Sequence, residues 1–162
     1  MGVLVADRPE VGDDFGAWVA PHLVAMSRLA ARLAPDADRD DVVQDALTRA
    51  WRRRSTYDDS RGSVQTWLLA IVADRARRAR TRRRDTVALV DSAQALGVRD
   101  EDLDLEVAIR GLPPRQRLAV ALHYFVGLPV AECATVMGCA EGTVKSTLFD
   151  ARARLREELG DE

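Results

Sequence analysis

A chain of 162 residues with 47% hydrophobic and 31% charged residues carries enough apolar side chain for a soluble core, in one domain or two small ones. No run of about eighteen apolar residues occurs, and the opening MGVLVADRPE lacks the basic start and apolar core of an export signal, so neither a membrane span nor a signal peptide is expected and the chain is placed in the cytoplasm. A formal charge of -2 excludes bulk electrostatic attraction to nucleic acid, yet the charge is blocked: seven arginines and one aspartate lie between Trp67 and Arg84, then seven acids and one arginine between Asp85 and Glu106.

Residues 1–12 lack periodicity, contain Pro9 and Gly12, and read as a mobile tail. Asp13 or Asp14 can cap one helix whose stripe is Phe15, Trp18, Val19, Leu23, Met26, Leu29, Ala30 and Leu33, ending before Pro35. The carboxylates of DADRDD introduce a second helix, from about Arg39 to Arg54. Its Val42, Ala46, Leu47, Ala50 and Trp51 face inward, while Asp41, Gln44, Asp45, Thr48 and Arg52 face outward. The acidic start and basic end of that helix suit its dipole, which is a structural reason for the charges.

The loop STYDDSRGSVQ, residues 55–65, is rich in Asp, Ser and Gly. Ser63 then caps a third helix, Val64 to about Arg84, with Trp67, Leu68, Ile71 and Val72 buried and the arginine series following. That series exceeds what solubility needs; a solvated helix end or a patch for anionic membrane are the plain readings, and phosphate binding by planar guanidinium forks the stronger one. Residues 85–104 have weak periodicity and read as an acidic linker. A second helical body starts near Leu103, with Leu112, Leu118, Val120, Ala121, Leu122 and Phe125 on a helix begun by Pro113 and Pro114 and closed by Gly127.

The last stretch, LPVAECATVMGCAEGTVKSTLFDARARL, reads as two short helices, the first started after Pro129 and ended at Gly138. From about Glu141 the second helix buries Val144, Leu148, Ala151 and Leu155, which leaves Thr143, Lys145, Ser146, Thr147, Phe149, Asp150 and Arg152 outward. Such a face on the second helix of a helix-turn-helix enters a major groove, although a helical hairpin with a solvated face has the same pattern. Cys133 and Cys139 fall where small buried hydrophobes are wanted; with only His22 and His123 besides, no metal set is formed, and a redox role is the lesser alternative. No phosphate loop or Ser–His–Asp arrangement suggests an enzyme, and no cofactor is expected.

Three segments in this order, DRDDVVQDALTRAWRR, YDDSRGSVQTWLLAIVADRARR and LPPRQRLAVALHYFVGLPVAECATVMGCAEGTVKSTLFDARARLREEL, resemble the extracytoplasmic-function sigma factors of the sigma-70 family, the minimal initiation subunits of bacterial RNA polymerase. The resemblance runs from about residue 13 to 158. It implies an all-α protein of two small helical domains: region 2 at 13–84 and region 4 at 105–158, joined by a flexible acidic linker at 85–104, after a disordered tail at 1–12. It also implies that Asp41, Gln44, Asp45, Thr48 and Arg52 dock on core polymerase, through the β′ clamp coiled coil. The loop from Tyr57 to Ser63, with Asp58, Ser60 and Arg61, then captures a base flipped from the -10 element, and Trp67, Arg75, Arg77, Arg78 and Arg80 support the displaced strand. Thr143, Lys145, Ser146, Thr147, Phe149, Asp150 and Arg152 would meet the -35 duplex, with Thr143 and Arg152 on phosphates.

Partners implied by the resemblance are the β and β′ subunits of core polymerase, promoter DNA and an anti-sigma factor, with no membrane and no small-molecule substrate. The chain departs from the family at Asp74, where Asn is frequent, at Arg78, where Asp is, and at Thr147 and Asp150, where Arg is common. An acid at Asp150 repels phosphate or accepts from a cytosine amino group, so the promoter sequence is open. The rival class is a helix-turn-helix regulator that binds duplex DNA without entering polymerase; it leaves the arginine helix and DRDDVVQDALTRAW without a role.

Overall fold

Eight α-helices carry the backbone of the computed structural model, which describes residues 14–35, 37–86 and 100–160, with the side chains of 83–86 and 100–102 left out. The expected tail at 1–12 and the middle of the expected linker, 87–99, lie outside the described residues. No strand occurs among the described residues.

The first apolar stripe is two helices rather than one. α1 (Phe15–Val19) passes through a 3-10 turn, Ala20–His22, into α2 (Leu23–Leu33). Pro21 lies in that turn; it has no N–H to give an α-helical bond, and its ring crowds the carbonyl four residues back. Asp14 caps α1 by accepting from Ala17 N at 2.9 Å. The break also changes the facing of the stripe, so that Leu23 is exposed while Met26, Leu29, Ala30 and Leu33 are buried.

α3 (Arg39–Arg53) begins at Asp38, whose Oδ1 accepts from Asp40 N at 2.9 Å and Asp41 N at 3.3 Å. Val42, Val43, Ala46 and Ala50 fill its inner face. Trp51, expected inside, is 42% exposed and instead packs edge-on against Phe15 and under Arg54. α4 (Val64–Thr86) starts where Thr66 N donates to Ser63 Oγ at 3.2 Å. Leu68, Leu69, Val72 and Ala76 lock it to α2 and α3.

In the second body, α5 (Asp100–Gly111) is followed by α6 (Pro114–Val120), which widens into a π-helical turn at Ala121–Val126. Leu128 N donates to Leu122 O at 2.9 Å across this turn, and Gly127 at φ 88° lets the chain leave it. Arg117, 4% exposed, donates to the carbonyls of Arg110 and Leu112 and so satisfies the open end of α5. α7 (Val130–Met137) and α8 (Glu141–Leu159) turn about Gly138 at φ 64°. Both ends of the segment read as a linker are therefore helical: α4 runs to Thr86, and α5 begins at Asp100.

The two bodies share one core. α2 packs on α6 and the π turn, and α4 packs on α7, so that Leu29, Val72, Leu122 and Cys133 belong to one continuous apolar cluster.

Candidate nucleic-acid interface

Three exposed surfaces follow from this scaffold. On α3, Asp41, Gln44, Asp45, Thr48 and Arg52 are all exposed. Their spacing of three, four, seven and eleven residues from Asp41 sets them on a single stripe of the helix. Thr48 Oγ1 donates to Gln44 O at 3.0 Å, and Asp45 reaches Arg75 of α4 at 3.7 Å.

The second surface is the loop between α3 and α4. Tyr57 OH donates to Gly62 O at 3.1 Å and closes the loop on itself. Inside it, Asp58 Oδ1 accepts from Ser60 N at 3.0 Å and Ser60 Oγ at 2.7 Å, which holds the 3-10 turn Asp59–Arg61. Burial and the nearby Asp59 and Asp58 raise the Tyr57 phenol, so it stays a donor at neutral pH. Asp58, Ser60, Arg61 and Ser63 are exposed. Gly62 has φ 153°, and a Cβ there would meet Thr66 Oγ1 at 2.7 Å and Thr135 Cγ2 at 2.9 Å; only glycine fits.

Behind the loop stands an aromatic box. Trp18 lies 5.4 Å from Tyr57 and 5.6 Å from Trp67, Tyr57 lies 5.6 Å from Trp67, and Phe15 bridges Trp18 at 5.9 Å to Trp51 at 5.2 Å. Five of the eight aromatic Phe, Trp and Tyr side chains thus meet at one place, each of them still reached by solvent. Such rings offer flat faces on which a base can stack.

On α4 the arginines are not equivalent. Arg75, with 13% of its side chain exposed, is held between Asp74 at 2.8 Å and Asp45 at 3.7 Å. Arg77 and Arg78, both well exposed, donate to the same Asp74 at 3.1 and 3.2 Å. Burial would raise the Asp74 carboxyl, but hydrogen bonds from Arg75 and Arg77, with the charges of Arg78 and Arg75, hold it below the usual carboxylate range. Arg80 is half-buried on the same helix.

The third surface is α8. Val144, Leu148 and Ala151 are buried, and Leu155 half-buried, while Thr143, Lys145, Ser146, Phe149, Asp150 and Arg152 are exposed and Thr147 is half-buried. Phe149 is 64% exposed. Ser146 and Thr147 both donate to Thr143 O, at 3.0 and 2.7 Å. Arg152 donates to Tyr124 OH at 2.8 Å. Ala140 gives α8 no side-chain cap, and Thr143 N and Val144 N close its first turn on Ala140 O at 3.0 and 3.2 Å.

The sigma-70 region 2 pattern matches residues 18–86, and the sigma-70 region 4 pattern matches residues 102–155. The RNA polymerase sigma-E factor of Streptomyces coelicolor is 34% identical over 154 residues, covering 90% of this chain and 86% of that protein. The ECF RNA polymerase sigma factor SigM of Mycobacterium tuberculosis is 34% identical over 147 residues, with 86% and 72% covered. The chain belongs to the extracytoplasmic-function RNA polymerase sigma factors. Among solved structures, this sigma factor is similar to RpoE in complex with the anti-sigma factor NepR from Bartonella quintana, at TM-score 0.73 and 30% identity over 92% of the chain and 99% of that one. It is also similar to CnrH in complex with the cytosolic domain of CnrY, at TM-score 0.69 and 28% identity, with 90% and 86% covered.

Within the sigma factor, the region 2 match holds the α3 stripe, the loop, the arginine helix and all of the box but Phe15, and the region 4 match holds the α8 face. Sequence reasoning took Phe15, Trp18 and Trp51 only as core and did not connect them with the loop. A hint was available, since all three Trp residues and Tyr57 fall in or beside region 2. Asp74 as a partner of Arg77 and Arg78 was legible in its spacing of three and four residues to them, whereas its contact with the adjacent Arg75 was not. Tyr124, 28 positions before the Arg152 that it meets, had no periodic signal.

Proposed function

We propose that the chain binds core RNA polymerase and brings it to promoters through two contacts, a melted -10 element on region 2 and a paired -35 element on region 4, then helps the strands part. It performs no covalent chemistry and works in the cytoplasm with the polymerase. The observation that carries this reading is the coexistence, in one sigma factor, of an aromatic box behind a self-closed polar loop with a separate helix whose exposed face is hydrogen-bonding and cationic. A stacked base suits the first and a major groove the second.

In this reading the α3 stripe of Asp41, Gln44, Asp45, Thr48 and Arg52 meets polymerase. Tyr57, Asp58, Ser60, Arg61 and Ser63 receive the flipped base, with Trp67 as part of the box floor. Arg77, Arg78 and Arg80 follow the displaced strand, and Arg75 contributes chiefly by holding Asp74 and Asp45 in place, an assignment its low exposure supports. On region 4, Lys145, Ser146, Thr147, Phe149 and Asp150 face bases; Thr143 and Arg152 face phosphates. The domain limits follow the same division: region 2 over 13–84, a joining segment over 85–104 and region 4 over 105–158. Because RpoE, a structural relative, is in complex with the anti-sigma factor NepR, an anti-sigma partner is part of the proposal.

Separate substitutions test the division of labour. Gln44→Ala with Asp45→Ala should weaken binding to core polymerase and leave binding of a -35 duplex intact, whereas Lys145→Ala with Ser146→Ala should do the reverse. Loss of both activities in either double variant, with helicity unchanged, contradicts the assignment.

A further inference from the structure

Arg152 extends the exposed stripe of α8 that holds Lys145 and Phe149, at spacings of four and seven residues from Lys145. That stretch of helix advances about 10 Å, close to the roughly 12 Å width of a major groove. A helix that sets Lys145 against base edges therefore carries Arg152 to the phosphate rim. A long guanidinium side chain in water has many orientations, and fixing one costs rotamer entropy. Here the orientation is already set, because Arg152 donates to the Tyr124 hydroxyl at 2.8 Å across 28 positions of the chain.

Tyr124 is fixed in its turn by the π turn Ala121–Val126, a widening of the helix that recurs at functional sites. His123 Nδ1 donates to Leu128 O at 2.8 Å, and the His123 ring stands edge-on to the Tyr124 ring at 4.9 Å. Tyr124 is nevertheless 50% exposed, and its contact with Arg152 lies at the surface. The nature of the acceptor matters. Arg75, Arg77 and Arg78 of α4 are paired with a carboxylate, whereas the phenol oxygen orients Arg152 without a formal charge to cancel its own. The hydroxyl keeps its hydrogen to donate, and the guanidinium its remaining N–H groups.

We propose that Tyr124 is a positioning residue for -35 binding: its hydroxyl holds Arg152 at the groove rim, and the two side chains act as a unit that clamps one phosphate. The inference rests on the reading of α8 as the -35 contact. Phosphate carries no base identity, so the clamp adds affinity and register, and leaves sequence to Lys145, Ser146 and Phe149.

Short duplexes recovered from a random-sequence pool by the full chain serve as the probe. Tyr124→Phe keeps the ring and every charge. It should weaken binding about tenfold, the loss of one good hydrogen bond, and lower the slope of log affinity on log salt by about one phosphate contact. Arg152→Ala should match it in both, and the double variant should fall well short of the roughly hundredfold loss that independent contacts give. Duplexes changed at single base pairs should lose by the same factor. The melting temperature should be kept, since the His123 contact needs only the ring.

An unchanged salt slope in Tyr124→Phe overturns the positioning, as does a double loss equal to the product of the single ones. A loss that tracks a lowered melting temperature makes Tyr124 a structural residue and overturns it too. A loss confined to one base pair overturns the phosphate assignment. Should the original chain recover no duplex, the reading of α8 fails and the clamp with it; a recovered duplex that ignores Tyr124 removes the clamp alone.

Discussion

At the scale of single residues, the account depends on which polar groups are already committed within the protein. Asp74 is the clearest case, because three arginines converge on it. Its folded pKa is depressed, so the stability it contributes is fully present above its unfolded value near about 4 and is lost as pH falls through the folded value. Asp74→Asn should therefore flatten the acid limb of a thermal-melting profile taken from about pH 6 downward. The same change frees positive charge on α4, and the salt dependence of single-strand binding should steepen by about one counterion. No change in either profile would mean that the arginines are arranged by helix geometry alone. On α8 the hydroxyls of Ser146 and Thr147 share one backbone carbonyl, so removing Lys145 and Ser146 together should cost about 1–3 kcal/mol of -35 binding, read by duplex titration. Burial pushes the Cys133 thiol up to about 11. Alkylation of Cys133 at pH 8 should proceed only on unfolding, since the thiolate is the reactive form.

At the scale of elements, helix punctuation was the most legible part of the fold. Asp14, Asp38, Ser63, Pro129 and Gly138 stand where their chemistry sets a start or stop. Gly138→Ala should cost about 1 kcal/mol, from the left-handed backbone rather than from crowding, because nothing lies near its missing Cβ. A thermal melt measures it. Pro21 was visible but its consequence was missed: the stripe through Leu33 keeps helical spacing on paper, and only the unmade backbone bond divides it. Trp51 was read as inward for a related reason, since periodicity reports a face and not how far the neighbouring helices extend over it. The aromatic box was illegible because its members come from α1, α3, the loop and α4, and no local pattern joins them. Trp18→Ala should destabilise region 2 by about 2 kcal/mol, less than the roughly 3–5 kcal/mol of a fully buried aromatic. It should also lower promoter opening, assayed by permanganate reactivity of unpaired thymines, while -35 duplex binding is kept; Trp18→Phe should recover most of the loss.

Over the whole molecule, two regions that the sequence suggests as separate bodies are drawn into one cluster of apolar side chains. The reason such a contact escapes sequence reasoning is physical. Leu122 and Cys133 look like the core of region 4, and Leu29 and Val72 like the core of region 2; periodicity assigns each to a buried face without saying what covers it. The arrangement also brings the basic α4 and α8 into one particle whose net charge is only -2, so the proposed DNA contacts would rest on local patches and not on the overall field. The most direct test of the central claim is transcription in a purified system containing core RNA polymerase, this chain and genomic DNA fragments, with no other sigma factor. The account predicts discrete start sites preceded by two shared sequence elements, abolished when the chain is omitted. Transcripts that are absent, or that appear only when another sigma factor is added, would contradict it.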